Sequence, residues 1–393
     1  MKRVSKVLTA LVLGTVLAGL AAGCSGGEKK ADTIKVGANL EMTGGSASYG
    51  ISSKNAIELA FKEINEKGGI NGKQLELVVA DNKSEAAEAT NAMQKLVSQD
   101  NVVAVIGPNL SSSVIAASAI NNSAKVLDIA PMATNPYVTV DQASGKTKDF
   151  NYRTCFIDPF QGKVMAEYAH QNGFKKVAIV QEVSNDYSVG LAKFFREEFV
   201  KLTGDENSIV DVANYQTGDK DFTAILTNIK ALNPDAVFAP GNFTESALLV
   251  KQARQLGIDA QFMGGDTWET QEFIDVGGKD VEGVALSTAF DREKASTEEA
   301  KKFLDAYTKE YNGEPSALTA MAYDAYLIAV SGIEKAGTAT DTVKIRDAIA
   351  ATKDLECVTG MTTLDENGDP IKGVVIKTVK DGKFTFKDYV EAK

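Results

Sequence analysis

The chain is predicted to be an α/β protein built from two doubly wound parallel-sheet lobes. Three observations lead there. At 393 residues it is long enough for two or three domains, each with its own core. Its 44% hydrophobic and 24% charged residues are ordinary for a packed globular chain. From Ile34 onward, short β-branched runs alternate with segments of helical period, and strands so spaced return to one sheet only through crossover helices.

The N-terminus reads as an address. A basic start (Lys2, Arg3, Lys6) precedes an apolar run from Val7 to Ala22 and then Gly23-Cys24-Ser25-Gly26-Gly27, the three-part pattern of a secretory signal peptide over residues 1–23. The apolar run is shorter than the roughly 20 residues a spanning helix needs. Leu20-Ala21-Ala22-Gly23-Cys24 resembles a bacterial lipobox, with its leucine one place early, and that resemblance implies acylation of Cys24 and a lipidated linker over residues 24–32. Removing the leader takes three of the 42 basic residues against 53 acidic ones, so an exported body would carry 39 − 53 = −14. Such a body does not cling to anionic lipid by charge.

The first lobe opens with the strand IKVGANL and a helix whose apolar face is Ile57, Ala60, Phe61 and Ile64, stopped by Lys67-Gly68-Gly69. LELVVADN, a helix from Ala86 to Val97, VVAVIG (102–107), a helix after Ser111 and VLDIAP (126–131) continue the alternation. After a turn-rich stretch from Asp141 to Asp149 a second series begins: VAIV (177–180), a helix through Phe194 and Phe199, IVDVA (209–213), a helix from Phe222 to Leu232, DAVFAP (235–240), a helix to Leu256 and QFMGG (261–265). Helical patterns over 298–311, 316–335 and 341–352 follow. The strands VVIKTV and KFTFKDY close the chain, and the Asp381-Gly382 pair between them predicts a hairpin.

Several chemistries are excluded on composition. A net charge of −11 lacks the basic footprint of a nucleic-acid binder. His170 is the only histidine and reads as an ordinary helix-end residue, so neither a His-rich metal site nor a Ser-His triad can be assembled. The three cysteines have no CxxC spacing. No nucleophile elbow, phosphate loop or metal motif appears. No cofactor or metal is expected. Acidic residues abound, as a glycosidase would need, but nothing pairs them.

In open parallel sheets ligands bind beyond the carboxyl ends of the strands, where helices begin. Gly107-Pro108-Asn109-Leu110-Ser111-Ser112-Ser113 gathers hydroxyls and free amides at such a point and suits a carboxylate, although a serine there also serves as a plain helix cap. Pro131-Met132-Ala133-Thr134-Asn135-Pro136 is a second strand-to-helix turn. In the second lobe, Asp266 follows QFMGG beside Trp268, the only tryptophan, and reads either as an amine partner or as a helix cap.

Together with the leader, the segments IKVGANLEMTGGSASYG, AFKEINEKGGINGKQLELVVADN, VIGP with SSS, APMATNP, RTCFIDPFQG, VKQARQLGIDAQFMGGD and AMAYDAY resemble the substrate-binding lipoproteins of branched-chain amino-acid ABC importers. The resemblance implies a two-lobed periplasmic-binding fold of type I, its lobes joined by three crossover segments, that closes on its ligand as a hinge. It implies a first lobe of residues 33–153 and 289–358 and a second of 154–288 and 359–393. The crossings would fall near Arg153 to Phe156, Ser287 to Phe290 and Val358 to Thr362.

It also implies that Ser111, Met132 and Thr134 hold the ligand's polar groups, the latter two largely through main chain, and that Asp266 receives the ammonium. Tyr49 and Tyr187 would line the cleft. Asn242-Phe243 stands where relatives often place a tyrosine. The implied ligand is a free amino acid, Leu, Ile or Val first, with an ABC permease and ATPase as partners of a monomer tethered outside the cell. The same fold serves other ligands too, an amide or aromatic acid among them, for uptake or sensing. Cys155 and Cys357 fall at two of the crossings and stand either as buried thiols or as a hinge disulfide.

Overall fold

The computed structural model describes residues 33–392, so the leader, Cys24 and the linker lie outside the described residues. The first lobe begins with β1 (Ile34–Leu40), α1 (Ala47–Glu66), β2 (Leu75–Asp81), α2 (Ala86–Ser98), β3 (Ala104–Ile106), α3 (Ser111–Ala124), β4 (Leu127–Ala130) and β5 (Asn151–Arg153). The five strands lie in the order β2-β1-β3-β4-β5, each pair parallel. β3 and β4 are buried throughout and read as continuous apolar runs, the signature of a sheet covered on both faces. The order reverses between β1 and β3, which places a crevice at their carboxyl ends.

The second lobe repeats the winding. It comprises α4 (Asp158–Gln171), β6 (Val177–Glu182), α5 (Asp186–Thr203), β7 (Ile209–Tyr215), α6 (Thr223–Leu232), β8 (Ala236–Phe238), α7 (Phe243–Gln255), β9 (Gln261–Gly264), α8 (Gln271–Gly277) and β10 (Ala285–Thr288). Its parallel strands run β7-β6-β8-β9-β10, the same permutation as in the first lobe. The chain then returns to the first lobe through α9 (Glu298–Tyr311), α10 (Ala317–Ala336), α11 (Thr342–Ala350) and a hairpin of β11 (Leu355–Cys357) and β12 (Gly360–Thr362). Helix α10 starts with a Ser316/Thr319 capping box and packs on α1 and α11. Finally β13 (Val374–Lys380) and β14 (Lys383–Val390) extend the second sheet antiparallel. Their turn has φ of 52° at Asp381 and 69° at Gly382, two left-handed positions as a two-residue hairpin of this hand needs.

Two large cores mark where the chain changes lobe. Tyr152 belongs to the first core and Cys155 to the second; Ala289 belongs to the second and Phe290 to the first. The last change falls between Leu364 and Val374, later than the stretch Val358 to Thr362 expected from the sequence. Residues 355–362 form instead the β11-β12 hairpin against α9, with Val358 buried in the first core. Cys155 and Cys357 are free thiols, both buried. Burial pushes the Cys357 thiol up to about 12 and that of Cys155 further in the same direction, so both stay protonated and inert. His170 is exposed in the last turn of α4.

Arg153 ends β5 at the first change of core and is fully buried. Its Nε bonds Asp369 at 2.6 Å, Nη1 reaches the carbonyls of Ala133 and Asn135 at 2.6 and 3.0 Å, and Nη2 the Thr139 hydroxyl at 2.9 Å. One guanidinium thus pins the turn after β4 to the segment that leads into β13. No helix among the described residues is long and apolar enough to cross a membrane.

Candidate functional site

The carboxyl ends of β3 and β4 face the second lobe. Ser111 is the first residue of α3 and Leu110, an apolar residue, holds the cap position, so the serine is no conventional cap. The amides of Ser111 to Ser113 have no acceptor within the helix and lie at its positive end. The preceding turn is braced from β1: the buried Glu41 carboxylate accepts from the Asn109 amide at 3.2 Å and from Asn109 Nδ2 at 2.8 Å. Burial raises that carboxyl above the usual range, against the opposing effect of the Asn109 bonds. The Ser111 hydroxyl accepts from the Asn135 amide at 3.2 Å, which joins the two turns of the first lobe.

The two lobes touch across this crevice. Asn135 Nδ2 donates to the Asp186 carbonyl at 2.8 Å, and the Asp186 amide to Ser112 Oγ at 3.0 Å. The Tyr49 hydroxyl donates to the Thr267 carbonyl at 2.8 Å, and its ring meets Phe243 edge-on with centroids 5.2 Å apart. Met132, though on the first lobe, is buried in the second core. The Asp158 amide donates to the Thr134 carbonyl at 2.9 Å.

Asp266 opens a short turn directly after β9. Its Oδ1 accepts from the Tyr187 hydroxyl and from Gln161 Nε2, both at 2.9 Å, and Gln161 Nε2 also reaches Ser287 Oγ at 2.9 Å. Gly265 is what lets these side chains in: a Cβ there would lie 2.0 Å from the Tyr187 hydroxyl and 3.0 Å from Gln161 Nε2. Trp268 is fully buried and stacks on Phe273, anchoring the turn in the core. Burial pushes the Asp266 carboxyl up to about 6, with the Gln161 and Tyr187 bonds opposing it. Burial, reinforced by the neighbouring Asp266 charge, drives the Tyr187 hydroxyl well above its ordinary value, so it remains a donor.

Thus Ser111, Thr134, Tyr187 and Asp266 are linked by one chain of contacts, with Tyr49, Met132 and Phe243 packed beside it. Asn242, at the cap of α7, is nearly buried, and its Oδ1 has no partner among the described residues. The Thr267 hydroxyl donates to the Gly241 carbonyl at 2.7 Å and ties the Asn242 turn to that of Asp266.

Sequence reasoning had not singled out Asp158, Gln161, Asn135 or Thr267. The only signal at Asp158 was an acidic residue before a proline, the ordinary start of a helix. Among the described residues, Asp266 Oδ2, Gln161 Oε1, both carboxylate oxygens of Asp158 and Thr134 Oγ1 are buried and have no hydrogen-bond partner. All can accept, and the nearby Arg153 guanidinium is occupied elsewhere. Buried orphan acceptors are costly unless a donor meets them. The arrangement therefore suits a small molecule with a cationic donor at this end and an anion at the α3 end. A second interlobe groove of about 700 Å³, lined among others by Glu269, Asp291, Glu314 and Lys377, contains none of these orphans.

Residues 33–383 match the family model described as periplasmic binding protein. The chain is similar to the Leu/Ile/Val-binding protein BraC3 of Rhizobium johnstonii, 34% identical over 86% of this chain and 88% of the relative. Among solved structures it is similar to a leucine-binding protein, LivK, of Thermotoga maritima, with a TM-score of 0.85 and 38% identity over 91% of this chain and 99% of that one. It is likewise similar to LivJ of Streptococcus pneumoniae, the substrate-binding protein of a branched-chain amino-acid transporter solved with isoleucine, at TM-score 0.84 and 37% identity over 91% and 99%. With the fold and the interlobe site already in place, these likenesses show that the chain belongs to the periplasmic binding protein family, among the substrate-binding proteins of branched-chain amino-acid ABC transporters.

Proposed function

We propose that the chain captures a free branched-chain amino acid (leucine, isoleucine or valine) between its lobes and, by hinge closure, presents it to a membrane permease driven by an ATPase. The observation that carries this reading is the cluster of orphan buried acceptors around Asp266, set opposite the Ser111 helix end. Ser111 and the free amides of α3, with the main chain at Met132 and Thr134, take the carboxylate and part of the amine. Asp266, held by Tyr187 and Gln161, takes the ammonium. Tyr49, Phe243 and Asn242 bound the space for the side chain. Each buried methylene adds about 0.8 kcal/mol, so size alone separates the three aliphatic ligands only modestly. Transfer of the ligand breaks no bond in it, and the role is binding without catalysis.

Thermal melting of ligand-free protein against a panel of amino acids, amides and aromatic acids tests the assignment. At 100 times its Kd a ligand stabilises the folded state by about 2.7 kcal/mol. Leucine, isoleucine and valine are expected to raise Tm and benzoate to leave it unchanged; a panel in which no amino acid raises Tm rejects the reading. The protein acts as a monomer held to the outer face of the cell membrane by acyl chains on Cys24. Cys24→Ala is expected to move it from the membrane fraction to the medium or periplasm, and retention would refute the anchor.

A further inference from the structure

One seam between the lobes lies beside the site rather than in it. Asp186, the first residue of α5, is exposed, yet both polar groups of its main chain are engaged by the first lobe. Its amide, one of those a helix start leaves without an internal acceptor, donates to Ser112 Oγ at 3.0 Å, and its carbonyl accepts from Asn135 Nδ2 at 2.8 Å. Neither bond uses the Asp186 carboxylate. One turn along α5, a Cβ on Gly190 would lie 2.8 Å from Asn135 Nδ2 and 2.9 Å from Asp158 Oδ2, so the glycine is what lets the helix come this close.

Asn135 is held ready for this reach. It is buried, and its other polar groups are committed within its own lobe: Oδ1 accepts from the Tyr137 amide at 2.9 Å, the amide donates to Ser111 Oγ at 3.2 Å, and the carbonyl accepts from Arg153 Nη1 at 3.0 Å. Those partners belong to the first lobe, so they fix the side chain whether or not the second lobe is in contact. Ser112 is the second residue of α3 and is carried by the same helix start as Ser111. A donor and an acceptor are thus presented together, spaced to match the main chain of one residue.

We propose that Asn135 and Ser112 form a latch, which engages the Asp186 main chain when the lobes close and sets how long they stay shut. Both are positioning residues: their bonds to Asp186 join lobe to lobe and leave the ligand out. The latch therefore favours the closed form by the same factor for every ligand, and it lengthens residence without choosing among ligands. A neutral hydrogen bond made only on closure shifts the ratio of closed to open forms severalfold. Because it forms after the ligand has entered, the shift falls on release rather than on capture. The inference rests on the amino-acid reading above.

The test follows radiolabelled leucine as it leaves the protein into an excess of unlabelled leucine. Asn135→Ser keeps an oxygen to cap the Tyr137 amide, and every main-chain bond, but loses the NH2 group. It is expected to release leucine roughly threefold faster or more, with association within about twofold of wild type and the ligand-free Tm unchanged. Ser112→Ala is expected to do the same. Gly190→Ala, a change that in a helix interior ordinarily adds stability, is expected to speed release as well, because its methyl group holds α5 off Asn135. A ratio separates the latch from the ligand site: in the Asn135 and Ser112 variants the affinities for leucine, isoleucine and valine should fall by a common factor, to within about twofold. An unchanged release rate, slower association alone, a lower ligand-free Tm in the Asn135 variant or a loss confined to one ligand overturns the latch and leaves the amino-acid reading intact, whereas a wild type that binds no amino acid defeats the parent reading.

Discussion

Asp266→Ala is expected to weaken leucine binding at neutral pH by roughly thirtyfold or more, about 2 kcal/mol. The argument is one of uncompensated charge. Closure strips an ammonium of water, and its opposite charge on the second lobe is the free oxygen of Asp266, whose other oxygen is already fixed by Tyr187 and Gln161. Removal of the acid leaves the cation in a buried space with weaker acceptors. The same residue sets a pH limit. The carboxyl stands at about 6 before ligand arrives, and the ammonium favours its ionised form, so protonation opposes binding. Affinity in the wild type should therefore steepen its fall below pH 6, and the variant should lose that break. Calorimetry from pH 4.5 to 8 reads both effects; a variant that binds leucine as tightly as wild type removes Asp266 from the site.

Arg153→Met is expected to lower the free energy of unfolding by about 3 to 5 kcal/mol, as the loss of one partner of a buried ion pair typically does. Arg153 is fully buried, and Asp369 beside it is nearly so. Burial already holds the Asp369 carboxyl above the usual range despite the guanidinium, and without Arg153 the acid loses its nearest compensation. Two carbonyls after β4 and the Thr139 hydroxyl lose their donors as well. Arg153→Lys should rescue little, because one ammonium cannot reproduce a fork that serves four acceptors. Urea denaturation measures the change, and a loss under about 1 kcal/mol would show that the neighbours reorganise around the gap.

Much of the fold was legible because its signals are local. The run VAIV and the helix after it show their periods within a dozen residues, and Asp381-Gly382 announces its hairpin by the need for two left-handed positions. The strand Asn151–Arg153 was not legible: it is three residues long and includes an arginine whose burial depends on partners as distant as Asp369. The third passage between lobes was misplaced for a related reason, since the β11-β12 hairpin owes its position to packing on α9 rather than to its own composition. At the site, Ser111 and Asp266 stand just past strand ends, where topology alone sends the eye. Asp158 and Gln161 sit within the first helical turn after a crossover, and only the packing of the lobes shows that both are fully buried.

The chain visits the first core, leaves it, returns and leaves again, so neither half of the molecule is a contiguous piece of polypeptide. Helix α10, which packs on α1 and reaches β3 and β4, is translated only after the parallel strands of the other half are complete. A graft that exchanges one half between relatives must therefore splice at three points at once. A single cut after Tyr152 strands the opening sheet without the helices that cover it, and leaves an apolar face for aggregation to find.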